Sequence, residues 1–292
     1  IFSDSLSSGM VPRDWKKANV IPIFKKGVRS QPGNYRPVSL TSVVGKLFEG
    51  LLRDHIQNYV VENAIMSSNQ HGFMKDRSCQ TNLIAFYDEV SKRLDSGDAV
   101  GIIYLDFAKA FDTVPHKRLL SKLRSIGLSE VVCTWIEYIQ VRKLKFSYAN
   151  KISSPVPLNV GVPQGSVLGP LLFSLYTLSL EDLIHSFGFK YHLYADDTQI
   201  YFSTPSLTVE TETQISNCLL AISNWMNQRH LKLNLTKTEL MIFPPKPGPT
   251  PPFSISIEGT LINPVNSMRC LGVIFDSSLS FSDHTNTTVK TC

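Results

Sequence analysis

Tyr191-His192-Leu193-Tyr194-Ala195-Asp196-Asp197-Thr198-Gln199-Ile200-Tyr201-Phe202 is the stretch on which the fold turns. Two adjacent acids separate an apolar run (Tyr191, Leu193, Tyr194) from a β-prone run (Thr198 to Phe202). The pattern predicts a tight hairpin with carboxylates at its tip. Acids held together at a turn repel each other and destabilise it, and a bound divalent cation relieves that repulsion. An isolated Asp-Asp pair also fits solvated turn residues, so a functional reading needs a third acid. Asp106 supplies it, at the end of Val100-Gly101-Ile102-Ile103-Tyr104-Leu105. That run is β-branched and apolar almost throughout, which predicts a strand buried on both faces. An acid there is expensive without a partner or a metal. Read alone, Asp106 is a capping or ion-paired residue. Read with Asp196 and Asp197, it completes a set that can hold two Mg²⁺ ions roughly 3.5–4 Å apart, as in-line nucleotidyl transfer requires.

The chain has 292 residues, enough for one large domain or two smaller ones. At 42% hydrophobic and 18% charged it is an ordinary globular composition, which excludes wholesale disorder. The net charge of +5 is compatible with a polyanionic partner without requiring one. Cys79, Cys133, Cys218, Cys270 and Cys292 are scattered and form no Cys-x-x-Cys or Cys/His cluster. This predicts a reduced intracellular setting, nuclear and/or cytoplasmic, with neither a zinc site nor a disulfide frame. The most apolar stretch, Val167 to Ile184, carries Gly169, Pro170, polar residues and two acids, and so predicts a buried helix, not a membrane span. No signal peptide is present, and both ends read as cut from something longer.

Working outward, Val20 to Phe24 reads as a short strand flanked by lysines, followed by a polar loop, 29–35, and Arg36-Pro37-Val38-Ser39-Leu40. Helical spacing predicts helices over 43–62, 81–94, 116–126, 130–143 and 209–227. Residues 145–158 read as a β-like stretch broken by Pro155 and Pro157. Further strands are expected at 240–243, 253–257 and 269–275, with Pro244 to Pro252 as an exposed stiff connection.

Seven of these segments, in this order, resemble the reverse transcriptase domain of non-LTR (LINE-type) retrotransposons over nearly the whole chain. They are the lysine-flanked strand with Asn34-Tyr35-Arg36-Pro37-Val38-Ser39-Leu40, Gln70-His71-Gly72-Phe73 with Arg77-Ser78, and Tyr104 through Asp112. Gly161-Val162-Pro163-Gln164-Gly165, Tyr194-Ala195-Asp196-Asp197, Leu233-Asn234 near Lys237, and Cys270-Leu271-Gly272-Val273 complete the set. The resemblance implies an α+β fold of the right-hand polymerase type: fingers and palm, an antiparallel palm sheet backed by helices, and a thumb essentially missing. It implies fingers over 1–97, a palm segment with the first catalytic strand over 98–115, and a second fingers part over 116–158. Palm again covers 159–275, and 276–292 is a truncated start of the thumb. An endonuclease region expected in a full-length element is also missing.

The same resemblance assigns roles. Asp106 and Asp196 are metal ligands, the Phe107 carbonyl adds a ligand, and Asp197 sits close to the metals. The ions are Mg²⁺, with Mn²⁺ as an alternative. Phe111 stands where the family places a steric gate against the 2′-hydroxyl; from local sequence alone it reads as a core ring. Gln164 and Gly165 form the nucleotide-pocket and template loop, or an ordinary Pro-Gly loop before a helix. Arg36, with Lys25 or Lys26, grips the triphosphate; the two lysines are not distinguished and also fit solvated charge. Lys237 protonates the leaving pyrophosphate, or is a surface lysine in a turn. Asp112 reads as structural, and His71, His116, His185 and His192 as loop or core residues without metal spacing. The expected partners are an RNA template, a DNA primer and dNTPs, with no membrane and no zinc. Two functions follow: an RNA-directed DNA polymerase, or a catalytically inactive nucleic-acid-binding remnant of a retrotransposon. An RNA-dependent RNA polymerase shares the metal logic, but the ring at Phe111 argues against it.

Overall fold

The computed structural model describes residues 1–140, 142–148, 150–245 and 253–291. In chain order the elements are α1 (Phe2–Ser8), β1 (Lys17–Phe24), β2 (Tyr35–Thr41), α2 (Val43–Glu62), α3 (Cys79–Asp95), β3 (Ala99–Leu105), α4 (Ala110–Thr113), α5 (His116–Ser125) and α6 (Glu130–Gln140). Next come β4 (Lys143–Tyr148), β5 (Lys151–Ile152), β6 (Val156–Pro157), α7 (Gly169–Tyr176), α8 (Ser179–Ser186), β7 (Lys190–Tyr194), β8 (Asp197–Thr204), α9 (Val209–Gln228) and β9 (Glu239–Phe243). The chain ends with β10 (Ile255–Ile257), β11 (Thr260–Ile262), β12 (Ser267–Cys270), β13 (Val273–Asp276) and α10 (Ser282–Thr291). They form two compact units, Ile1–Met66 with Lys109–Thr177, and Ser67–Ala108 with Leu178–Cys292.

The second unit is built on an antiparallel sheet of order β7-β8-β3-β9. Every residue of β3 is buried, as its unbroken apolar run predicts. Its alternate side chains serve two layers. Val100, Ile102 and Tyr104 pack with Phe86 and Val90 of α3 and with Met268, Cys270 and Phe275 of β12 and β13. On the opposite face Ile103 joins Ile200 and Phe202 of β8 and Ile215, Cys218 and Leu219 of α9. The sheet is therefore covered by helix on both faces, with the strand that leads into Asp106 at its centre.

The first unit carries a sheet in which β1 pairs antiparallel with β2 and parallel with β4. Its helices pack through an aromatic cluster. The Phe48 ring lies 4.8 Å from Phe2 and 5.0 Å from Trp135, and Trp135 Nε1 donates to Ser5 Oγ at 3.0 Å. A buried ion pair, Glu49 with Arg142, closes this core.

Four expectations are corrected. The helix expected over 167–184 is two, α7 and α8; at the break the Thr177 hydroxyl donates to the carbonyls of Phe173 and Ser174. The helix expected over 130–143 ends at Gln140, and Lys143 already pairs in β4. The strand expected over 269–275 is a hairpin, β12 and β13. Leu271 (φ 45) and Gly272 (φ 96) are its two loop residues, both left-handed as a type I′ turn demands. The stretch left without regular structure around Arg36 is strand β2. Most of the Pro244–Pro252 connection lies outside the described residues. No described helix is long and apolar enough to cross a membrane.

Candidate active site

β3 ends at Leu105, paired with Thr198 of β8. One step further along that register, Asp106 stands opposite Asp197, the first residue of β8. Antiparallel partners are about 4.5–5.5 Å apart at Cα. The hydrophobic pattern of two strands thus brings together acids about ninety positions apart in the chain.

Asp106 is held from the other side by the segment after α9. Its carbonyl accepts from Asn234 N–H at 2.9 Å, and Ala108 N–H donates to the Lys232 carbonyl at 2.8 Å. These bonds flank an antiparallel bridge between Phe107 and Leu233. The Asp106 carboxylate is 16% exposed, and its Oδ2 accepts from both Lys237 Nζ and Asn234 Nδ2 at 2.9 Å. Asn234 Oδ1 in turn accepts from Thr236 Oγ1 at 2.8 Å, which orients the amide.

The hairpin joins β7 to β8 through the pair Tyr194↔Asp197, with Ala195 and Asp196 as its loop. Ala195 takes the positive φ (59°) at the first loop position, the sign pattern of a type II′ turn. Burial pushes the Asp197 carboxyl up to about 6. The negative charge of Asp196 and, less strongly, of Asp106 adds to that rise; a hydrogen bond from the Tyr104 hydroxyl and the Lys237 ammonium oppose it. Burial, then the charge of Asp197, raises the Tyr104 phenol in turn. Among the described residues no three His, Cys, Asp or Glu side chains form a metal-holding group. The donor set nonetheless fits a hard divalent cation in kind: oxygen ligands only, with Asp196 and Asp106 close enough to raise the proton affinity of Asp197.

The other candidates lie in the first unit. The Phe111 ring, on α4, is half-buried and lies 4.8 Å from Phe173, so core packing is part of its role. Gln164 Nε2 donates to Asp112 Oδ1 at 3.1 Å, and the Gln164 carbonyl accepts from Ser39 N–H at 2.7 Å. Gly165 has φ 101, and a Cβ there would lie 2.7 Å from the Ser39 carbonyl oxygen, so glycine is required twice over. Arg36 and Lys25 are exposed, Arg36 facing Ile23 across the β1–β2 ladder. His116 Nε2 hydrogen-bonds the Gly161 carbonyl at 2.8 Å, and the rings of His71 and His192 are buried 5.6 Å apart.

Sequence reasoning missed Tyr104 and Asn234 as partners of the acids. Tyr104 carries a readable signal, since two residues before Asp106 on a strand it shares that residue's face. Asn234 belongs to the Leu233-Asn234 segment of the resemblance, but its contact with Asp106 depends on where the segment after α9 docks.

The chain was compared with known proteins. The family described as Reverse transcriptase (RNA-dependent DNA polymerase) matches residues 23–275. The chain is 28% identical over 298 residues to a Drosophila melanogaster protein named "Probable RNA-directed DNA polymerase from transposon BS", covering 100% of this chain and 33% of that protein. It is 27% identical to the D. melanogaster "RNA-directed DNA polymerase from mobile element jockey", covering 97% of this chain and 31% of the relative. The "Retrovirus-related Pol polyprotein from type-1 retrotransposable element R1" of Bradysia coprophila is 24% identical, over 97% of this chain and 28% of its own length. The chain thus spans about a third of the length of the curated relatives it matches. Among solved structures, apo telomerase from Candida tropicalis, truncated from its C-terminal domain, superposes with a TM-score of 0.62 at 11% identity, over 94% of this chain and 55% of that one. That likeness shows the fold: mixed helices and sheets in the fingers-and-palm arrangement.

Proposed function

The chain belongs to the reverse transcriptase (RNA-dependent DNA polymerase) family, and from that premise we propose that it copies an RNA template into DNA. The reaction joins a dNTP to the 3′-hydroxyl of a DNA primer and releases pyrophosphate. The observation that carries this reading is the register placing Asp106 opposite Asp197 at the mouth of the β7–β8 hairpin.

In this reading Asp106, Asp196 and Asp197, with the Phe107 carbonyl, hold two Mg²⁺ ions, Mn²⁺ serving as an alternative. The bound ions would neutralise the triphosphate and lower the pKa of the primer hydroxyl. In the same reading Lys237, which is paired with Asp106, hands a proton to the departing pyrophosphate. Arg36 and Lys25 grip the triphosphate, and the Phe111 ring excludes a 2′-hydroxyl. Gln164 and Gly165 border the nucleotide; Ser39 and Asp112 fix their loop. The division into fingers (1–97, 116–158), palm (98–115, 159–275) and start of a thumb (276–292), and a nuclear or cytoplasmic location, belong to the same proposal.

The test is primer extension by the purified chain on an RNA template with dNTPs and Mg²⁺, run beside filter binding to the same hybrid. Template-directed extension is expected. Retention of the hybrid without extension would make the chain an inactive binding remnant.

A further inference from the structure

Gln70-His71-Gly72-Phe73 and Arg77 belong to the family resemblance, yet none of the roles above uses them. In the structure this segment runs along the outer edge of the hairpin that bears Asp196 and Asp197. Gln70 forms a parallel bridge with Leu193 of β7. His71 N–H donates to the Leu193 carbonyl at 2.8 Å, and Leu193 N–H donates to the Asn69 carbonyl at 2.9 Å. Gln70 is 1% exposed. Its Oε1 accepts from Gly72 N–H at 2.8 Å and from Ala195 N–H at 3.3 Å.

Ala195 is the buried loop residue held at φ 59. That backbone region is disfavoured for any residue with a Cβ, and a buried N–H without an acceptor is rare. The Gln70 oxygen answers both demands, because it satisfies the amide and fixes the peptide that carries it. Gly72 makes the approach possible; a Cβ there would stand 2.3 Å from Ala195 N and 2.9 Å from the Tyr194 carbonyl carbon. From outside, Arg77 Nη1 donates to the carbonyls of Ser67 (3.2 Å), Ser68 (2.6 Å) and Gln70 (2.6 Å), which anchors the segment.

We propose that Gln70 is a positioning residue for the catalytic acids: its side-chain oxygen holds the Ala195 amide, and with it the turn that presents Asp196 and Asp197. What is positioned rests on the polymerase reading; the clamp itself does not, and its test has readouts apart from polymerisation.

Gln70→Met keeps the size and removes the acceptor. In the folded variant, judged by circular dichroism, hydrogen exchange of residues 193–197 should quicken about tenfold. Half-saturation by Mn²⁺, followed by electron paramagnetic resonance, should rise about tenfold, as for loss of a ligand-orienting partner. kcat for single-nucleotide incorporation should fall about 10–100-fold, with KM for the dNTP changing less than about threefold. Adding Ala195→Gly should recover several-fold of kcat, because glycine adopts the left-handed turn unaided. Unchanged exchange and unchanged Mn²⁺ binding in Gln70→Met would overturn the proposal, and so would a double variant that recovers nothing. Should Gln70→Met not fold, Gly72→Ala, which leaves Gln70 intact but crowds Ala195, must show the same exchange and Mn²⁺ shifts; normal values there overturn the proposal equally. If the wild-type chain extends no primer, the polymerase reading fails while exchange and Mn²⁺ titration still decide the clamp.

Discussion

Asp106 is held by two side-chain partners. Asn234 and Lys237 share its Oδ2, so Asp106→Asn removes the charge and the ion pair but little volume. Incorporation should fall about a thousandfold or more, equivalent to about 4 kcal/mol of barrier, with an unchanged circular dichroism spectrum. Incorporation within a few-fold of wild type would remove Asp106 from the metal site. Phe111→Val tests the gate: if the ring excludes the 2′-hydroxyl, preference for dCTP over CTP collapses, and an unchanged preference leaves Phe111 as a partner of Phe173 only. Asp197 is a buried carboxyl that burdens the fold at neutral pH. Its folded pKa is raised to about 6 from 3.8, so its contribution is fully favourable below pH 3.8 and is lost as pH rises through about 6. Metal-free Asp197→Asn should therefore be more stable than wild type at pH 8, by about 2 kcal/mol, and no more stable at pH 3. Equal urea midpoints at pH 8 would show that the carboxylates do not strain one another. Asp106, Asp196 and Asp197 were legible in the sequence because acids at the ends of apolar runs stand out. Gln70 and Asn234 were not, because their meaning lies in contacts fixed by register and docking, while the strand-face signal of Tyr104 was there to be read.

Elements were legible where one period dominates. α2 falls on 43–62 as its spacing predicts, and β3 reads as a doubly buried strand. Boundaries failed where a short-range signal overrode the pattern: the Leu271-Gly272 turn splits an apolar run into a hairpin, and the break at Thr177 divides an apolar stretch into two helices. The strand at 35–41 went unread because Arg36-Pro37 resembles a loop, yet Pro37 sits opposite Pro22 in a two-proline rung. Glu49 links elements the sequence keeps apart. It pairs with Arg142, and its Oε2 accepts from Val167 N–H (2.8 Å) and Leu168 N–H (3.2 Å) just ahead of α7. This one carboxylate thus tethers α2 to the end of the loop that carries Gln164. Glu49→Gln leaves a buried guanidinium without its counter-charge and should destabilise the first unit by about 3 kcal/mol. Denaturation curves that coincide with wild type would mean that the pair is dispensable.

Across the whole molecule, the buried titrating groups of the second unit act in opposite directions under acid. His192 is held neutral there; burial, then the neighbouring His71, lowers it to about 4, and burial lowers His71 as well. A depressed folded pKa gives stability that is present above the unfolded value of about 6.5 and lost as pH falls toward about 4. Because the raised Asp197 carboxyl contributes in the opposite sense over the same window, His192 is tested by difference: His192→Phe should gain melting temperature relative to wild type as pH falls from about 6.5 to about 4, and a difference that does not change with pH would exclude His192 as a source of acid sensitivity. The fold class followed from seven ordered segments. Each of the two units, Ile1–Met66 with Lys109–Thr177 and Ser67–Ala108 with Leu178–Cys292, takes chain from two distant stretches. The central claim concerns the second unit: the acid after β3 and the acids of the β7–β8 hairpin act as one metal-binding set. It is tested most directly by counting Mn²⁺ ions bound to the chain in complex with an RNA template, a chain-terminated primer and the next dNTP. Two ions are expected for wild type, and a deficit in both Asp106→Asn and Asp196→Asn. Full occupancy in either folded variant would contradict it.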